Sequence, residues 1–265
     1  MLYCATYNCN SIRNNSEVVK NLLSNVDILC LQELMLNKSD LGILDQFNPD
    51  FEYVAYVRDR EACGINEGRP TAGVAIFWKR YLSPCIKTVS IDDSMIGIIL
   101  SNGKENIFIL NVYLPCDLQT IDALDSYRNS LARLKLVIEE QDVSDLIILG
   151  VFNADPFKGR FWRELLSFCQ SLSLSILDKQ LPNDTFTYLC PARNNTSWLD
   201  HILCSSSLLQ NISNVVVGYE SAIFDHFPLH LSLEFCTEVS NSPTDEDFIG
   251  KFVNWSRLSA NDKNK

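Results

Sequence analysis

Several of the apolar runs in this chain show no hydrophobic alternation, and that constrains its fold more than any other feature. DILCLQE at 27 to 33, MIGIIL at 95 to 100, NIFILNVYL at 106 to 114 and the run at 145 to 150 are the clearest cases. Strands of this kind are buried on both faces. LYCATYN at the start, FEYVAYV at 51 to 57, AGVAIFW at 72 to 78 and runs at 198 to 204, 214 to 218 and 228 to 235 extend the strand set. Asn102-Gly103, between two strand-like runs, is a hairpin signal. Helical spacing appears in three places. Val18, Val19, Leu22 and Leu23 mark one short segment, Ile121, Leu124, Leu131, Leu134 and Ile138 form one stripe within 118 to 140, and 161 to 172 is the third. Many strands with a few helices predict an α/β architecture in which sheets pack face to face and helices cover the outside.

A chain of 265 residues, 46% hydrophobic and 21% charged, buries a substantial core and is not disordered by composition. After Phe235 the pattern fails: 237 to 265 reads as an acidic linker and tail, leaving one domain over 1 to 236. No apolar run approaches the roughly 20 residues of a membrane-spanning helix. The start lacks the basic and apolar blocks of a signal peptide. The protein is therefore expected to be soluble and intracellular, in nucleus or cytoplasm, without secretion or membrane attachment. Ten cysteines, with no CxxC pair and no zinc spacing, read as small buried hydrophobes. A net charge of −11 argues mildly against a phosphate-backbone partner, although Arg58, Arg60, Arg69, Lys79 and Arg80, and Lys158, Arg160 and Arg163, form local basic stretches.

The polar residues that end the buried strands form a set: Asn8 and Asn10, Gln32 and Glu33, Asn111 and Tyr113, Asn153, Ser197 and Asp200, and Asp225 with His226. Strand ends, where loops gather, are where rigid scaffolds usually carry function. Carboxylates, a histidine with a carboxylate able to orient it, and amide and phenol donors suit metal-assisted hydrolysis of a phosphate ester. Mg²⁺ takes oxygen ligands and needs only one or two carboxylates. Donors aimed at the phosphate oxygens stabilise the extra negative charge of the transition state. A base that orients and deprotonates water contributes about 10²–10⁴ in rate. His201 and His230 read as core filler.

YNCN, LCLQE, GVAIFWK, NVYLP, LGVFNADP, SWLDHIL and FDHFPL, in this order, resemble the endonuclease/exonuclease/phosphatase superfamily. Within it they look most like the apurinic-type endonuclease domain of LINE-type (non-LTR) retrotransposons, over about 1 to 236. The resemblance implies a four-layered α/β sandwich of two mixed, mostly antiparallel sheets with helices outside and the site at one end. It implies Glu33 as principal ligand of Mg²⁺, with Mn²⁺ as the alternative ion, and Asn8 and Asp225 beside it. Tyr113 and Asn153 would bind and polarise the phosphate, and His226 would contact it, held by Asp200. Asn10, Asn111 and Ser197 would contact substrate. The implied partners are DNA and a downstream reverse transcriptase segment, which the tail FVNWSRLSANDKNK would link.

One departure bears on the chemistry. The family loop reads Gly-Asp-x-Asn, and here it reads Gly150-Val151-Phe152-Asn153. Valine accepts neither a proton nor a hydrogen bond, so DNA nicking is expected to be impaired while metal and phosphate binding survive. Asp155, before Pro156, reads as a loop cap rather than a substitute base. Phe224 stands where the family usually has serine, and Trp198 and His201 replace Arg and Tyr, which bears on substrate contacts. Two other readings are open: a phosphatase acting on a small phosphorylated molecule or lipid headgroup, and a catalytically dead binding module.

Overall fold

The computed structural model describes residues 1–58, 72–190, 192–220 and 225–236. The tail 237–265, Phe224, Cys63, Arg60 and Arg69 lie outside the described residues. The chain runs β1 (Leu2–Asn8), α1 (Ser16–Leu23), β2 (Ile28–Gln32), β3 (Phe51–Tyr56), β4 (Val74–Lys79), β5 (Ile86–Asp92), β6 (Met95–Ser101), β7 (Asn106–Tyr113), α2 (Ile121–Glu140) and β8 (Asp145–Val151). It continues through α3 (Arg160–Ser171), β9 (Leu174–Ile176), β10 (Tyr188–Cys190), β11 (Asn195–Ser197), β12 (Asp200–Ser205), β13 (Ile212–Val217) and β14 (Leu229–Leu233).

Two six-stranded sheets result, ordered β13-β14-β1-β2-β4-β3 and β5-β6-β7-β8-β12-β9, with β10 and β11 forming a separate hairpin. Each large sheet contains one parallel pair, β1 with β2 and β7 with β8, and is otherwise antiparallel. Residues such as Cys4, Cys30 and Ile76 of the first sheet pack against Ile98, Ile109 and Leu149 of the second, forming the core between them. The opposite faces are also covered. Val19 and Leu22 of α1 pack on Leu29 and Ala75, while Leu131 of α2 and Leu165 of α3 pack on Leu110 and Ile148. Burial of both faces is the physical reason the runs lack alternation. The architecture is a four-layered α/β sandwich.

The Asn102-Gly103 turn joins β6 to β7 as the dipeptide predicts, with Gly103 at φ 84°. The stripe read for α2 is corrected in part. Ile121 is 76% exposed, and the buried face is Ala123, Tyr127, Leu131, Leu134 and Val137. Thr120 caps the helix by accepting from the Ala123 N–H, which leaves Ile121 at the first turn, and Tyr127 stacks on Phe161 of α3 at 4.0 Å. The described cysteines are free thiols, with Cys4, Cys9, Cys30, Cys169 and Cys204 buried. Within the basic stretches, Arg58 pairs with Asp93, Lys79 with Asp27, Arg80 with Glu52, Lys158 with Asp155 and Arg160 with Asp117. Among the described residues no helix is long and apolar enough to cross a membrane.

His230 on β14 is buried between Ala5 and Val216, and burial pushes its pKa down to about 4 from the ordinary 6.5. Between these values the unfolded chain binds a proton that the folded chain excludes. The stabilisation is therefore complete above about pH 6.5 and is lost as pH falls through about 4. At about 1.4 kcal/mol per unit the loss is on the order of 3 kcal/mol. Urea unfolding of wild type and His230→Leu at pH 7 and pH 4 measures it: the variant is expected to lose less stability on acidification. Equal losses would contradict the assignment.

Candidate active site

At one end of the sandwich the row of side chains between the sheets changes from apolar to polar. In β7 the series Ile107, Ile109 continues as Asn111 and Tyr113; in β1, Leu2 and Cys4 are followed by Thr6 and Asn8; in β2, Ile28 and Cys30 are followed by Gln32. Two polar layers follow.

The inner layer is closed to solvent. Gln32 donates from Nε2 to Thr6 Oγ1 at 2.8 Å and to Asn111 Oδ1 at 2.6 Å. Asn111 donates from Nδ2 to the Leu31 and Ala75 carbonyls at 2.8 and 2.9 Å. Asn111 is 0% exposed, so the structure does not place it where substrate could reach it; its amide ties the second sheet to the first.

The outer layer forms one hydrogen-bonded chain that crosses both sheets. Tyr113 faces this layer from the second sheet, and the Glu33 carboxylate acts electrostatically on its phenol. Asn8 donates from Nδ2 to Glu33 Oε1 at 2.9 Å, and the same nitrogen faces His226 Nε2 at 3.4 Å. His226 Nδ1 lies 2.9 Å from Asp200 Oδ2. The Asn10 N–H donates to Asn8 Oδ1 at 3.1 Å, which settles the amide's orientation and makes His226 Nε2 the acceptor in its contact with Asn8. Asn10 also reaches Asp225 Oδ2 at 3.3 Å, and the His226 N–H donates to Asp225 Oδ1 at 3.1 Å. Glu33 leaves β2 in the left-handed region, φ 54°, and its carbonyl accepts from the Ser11 N–H at 2.9 Å. A non-glycine residue held there is uncommon and is the kind of strain found at functional sites.

Val151 is paired in register with Tyr113 on one side and Asp200 on the other, so the three side chains share a face. It is 1% exposed and extends the series Ile147, Leu149. A branched apolar residue satisfies the strand but provides no polar atom where both neighbours have one.

The loop after Val151 is held from several sides. Gly150, at φ 141°, lies so close to Val112 that a Cβ would collide with that residue's carbonyl. The Leu199 carbonyl accepts from both Phe152 and Asn153 N–H groups, at 2.9 and 3.0 Å. Asn153, at φ 52°, donates from Nδ2 to the Leu114 carbonyl at 2.8 Å, which places it beside Tyr113. Asp155 accepts from the Phe157 N–H at 2.9 Å and from the Trp198 N–H at 3.4 Å, with Lys158 Nζ at 3.5 Å. These are the contacts of a loop cap. Ser197 is at the rim: its Oγ is 3.4 Å from Lys158 Nζ, and its strand neighbour Tyr188 forms an isolated bridge with His226.

Three groups at this end carried no sequence signal that was read. Thr187 Oγ1 accepts from the Leu199 and Asp200 N–H groups at 2.9 and 3.0 Å and so positions Asp200. Tyr188 packs edge-on against His226 at 4.9 Å. Asp178 is fully buried against His201. They come from short turns and a three-residue strand, too brief to show periodicity.

Burial is the largest influence on His226 and would lower its pKa, but Asp200, then Asp225 and Glu33, together hold it above the ordinary 6.5. Burial, and after it Glu33, push the Tyr113 phenol up, so it remains a protonated donor at neutral pH. Among the described residues no group of three or more His, Cys, Asp or Glu could hold an ion alone. The donor set still fits Mg²⁺, which needs only one or two carboxylates and keeps several waters.

A family model described as the endonuclease/exonuclease/phosphatase family matches residues 5–222. The chain belongs to this family. Among solved structures it is similar to a 3'-5' exonuclease from Neisseria meningitidis (TM-score 0.69, 20% identity, 88% of this chain and 100% of that one). It is also similar to an AP endonuclease from Leishmania major (TM-score 0.71, 14% identity, 89% and 88%). The endonuclease domain of TRAS1, a telomere-specific non-LTR retrotransposon, matches with a TM-score of 0.64 at 14% identity, over 88% of this chain and 97% of that one. No curated protein matches. At these identities the family member shares a fold with nucleases.

Proposed function

We propose that residues 1 to 236 form the endonuclease domain of a non-LTR retrotransposon, which hydrolyses DNA phosphodiester bonds with Mg²⁺ and whose hydrolysis is impaired by Val151. The observation that carries this reading is the series Glu33–Asn8–His226–Asp200, which joins the two sheets, with Tyr113 and Asp200 paired on either side of Val151. Glu33, with Asn8 and Asp225 near it, would hold the ion, which supplies neutralisation of phosphate charge when bound. The Tyr113 phenol and the Asn153 amide donate to phosphate oxygens and favour the more charged transition state. His226, its Nδ1 held by Asp200, would contact the phosphate or the nucleophile through Nε2. Val151 leaves the attacking water without an acceptor. The partners of this reading are DNA and a reverse transcriptase segment of the same polyprotein.

The charge of −11 favours a second reading, a phosphatase acting on a small phosphorylated molecule or lipid headgroup. Val151 favours a third, a binding module without turnover. A substrate panel tests all three in Mg²⁺, using the Val151→Asp form with Glu33→Ala added as a blank. Nicking of supercoiled plasmid is expected to exceed release of phosphate from sugar phosphates and phosphoinositides. Preference for those small substrates would replace the nuclease reading, and tight DNA binding with no turnover on any substrate would leave the binding module.

A further inference from the structure

His201 follows Asp200 on β12 but points to the opposite face, away from the hydrogen-bonded chain, and is 0% exposed. It is paired in register with Gly150 at the base of the loop that bears Asn153. Its Nδ1 lies 2.7 Å from Asp178 Oδ2, and its Nε2 lies 2.8 Å from the Ala154 carbonyl oxygen. A carbonyl can only accept, so Nε2 carries a proton. Asp178 accepts through its other oxygen from the Ile202 N–H at 2.8 Å, and an Nδ1 lone pair facing that carboxylate would be repelled. Against an ionised Asp178 both ring nitrogens donate, which a neutral imidazole cannot do.

The surroundings favour this state. Phe152, Trp162 and Trp198 pack their rings around the imidazole with centroids at 5.9, 5.5 and 6.3 Å and keep water out. The charged groups acting on it are Asp178, from the turn Leu177–Gln180, and Asp200 on its own strand, while α3 brings the Cys169 thiol near Asp178. Burial is the largest influence and would lower its pKa, yet the two carboxylates and the Ala154 carbonyl hold it above the ordinary value.

We infer that His201 is a positioning residue, a buried imidazolium clamped between Asp178 and the Ala154 carbonyl, that fixes the loop presenting Asn153. That Asn153 contacts phosphate rests on the function proposed above; the clamp itself does not. The Phe152 and Asn153 N–H groups share one acceptor, the Leu199 carbonyl, and the Asn153 side chain holds the Leu114 carbonyl, so the Ala154 contact is a further restraint on the loop. Without it the backbone that carries Asn153 gains freedom, leaving its side chain the Leu114 contact alone.

Nitrogen-15 spectra of the unaltered protein at pH 8, more than a unit above the ordinary histidine value of about 6.5, test the charge state without any variant. Both His201 nitrogens are expected at imidazolium shifts, and a bare Nδ1 would overturn the clamp. Amide exchange of Phe152 and Asn153 tests positioning. In His201→Gln and Asp178→Asn these amides are expected to exchange about tenfold faster or more, with the β1–β2 ladder unchanged. Equal acceleration everywhere would reduce His201 to a general stabilising role, and no acceleration would remove the role. On the Val151→Asp background, His201→Gln is expected to lower kcat by about 10²-fold with little change in KM. Faster loop exchange with an unchanged kcat would separate the clamp from catalysis. Absence of any activity in that background, with the spectra and exchange as expected, would count against the hydrolase reading and leave the clamp standing.

Discussion

Replacing Val151 by aspartate is expected to raise Mg²⁺-dependent hydrolysis by about 10²-fold or more, the usual contribution of a positioned base. The site is otherwise assembled. Tyr113 and Asp200 flank position 151 in register, His226 is held by Asp200, and Glu33 receives a hydrogen bond from Asn8. The new carboxylate would occupy a position that is 1% exposed and next to Asp200. Two buried carboxylates on neighbouring strands repel, so the variant should also lose about 1–3 kcal/mol of stability. Nicking rates and urea unfolding, measured on the same preparations of both forms, report the two effects. A gain in rate at a loss in stability is the signature of a functional carboxylate restored to a site that valine had settled. If Val151→Asp is destabilised and no faster, the missing group is not what limits turnover.

Asn111→Leu is expected to cost about 3 kcal/mol or more of stability, and the affinity of the folded protein for DNA or phosphate should be unchanged. The substitution removes three hydrogen bonds at a site with 0% exposure, those to Gln32, the Leu31 carbonyl and the Ala75 carbonyl. Buried groups that lose partners cost about 1–3 kcal/mol each, partly offset here by the apolar side chain. Because the bonds run from β7 to β2 and β4, the loss should loosen one sheet against the other at the end that carries the site. Denaturant unfolding and fluorescence anisotropy with a short duplex measure the two quantities. A stable variant with weakened DNA binding would instead return Asn111 to the substrate contacts that the family resemblance implies.

Asn111 and Val151 show where the sequence stops being informative. Both end apolar runs and both sit among the family's motifs. Resemblance can place them at the site, but it cannot separate a side chain that faces substrate from one that is consumed in joining the sheets. That distinction depends on depth along the strand: Asn111 lies one inward position below Tyr113, and two residues decide between burial and exposure. Ile121 fails for a related reason. Its spacing fits the helical stripe, but helical spacing defines a face without saying which turn first meets the sheet, and the cap at Thr120 leaves it outside.

His201 is the opposite case. As a lone histidine in an apolar run it reads as filler, because nothing in the chain connects it with Asp178, which lies 23 positions earlier, or Ala154, 47 positions earlier. Thr187 and Tyr188 were unreadable for want of length, since a three-residue strand has no period.

What the sequence determined by itself is the layering. Runs that stay apolar at successive positions must be covered on both faces, and two covered sheets stack with helices outside. Local order along the chain also put polar residues at the ends of the buried strands, and the family resemblance marked Val151 as standing where a carboxylate is expected. Tertiary structure alone decided which polar groups meet. The contact from His226 to Asp200 crosses between the sheets, and that from Asn8 to His226 joins residues 218 positions apart; their geometry is set by strand register and sheet packing, which no local pattern encodes.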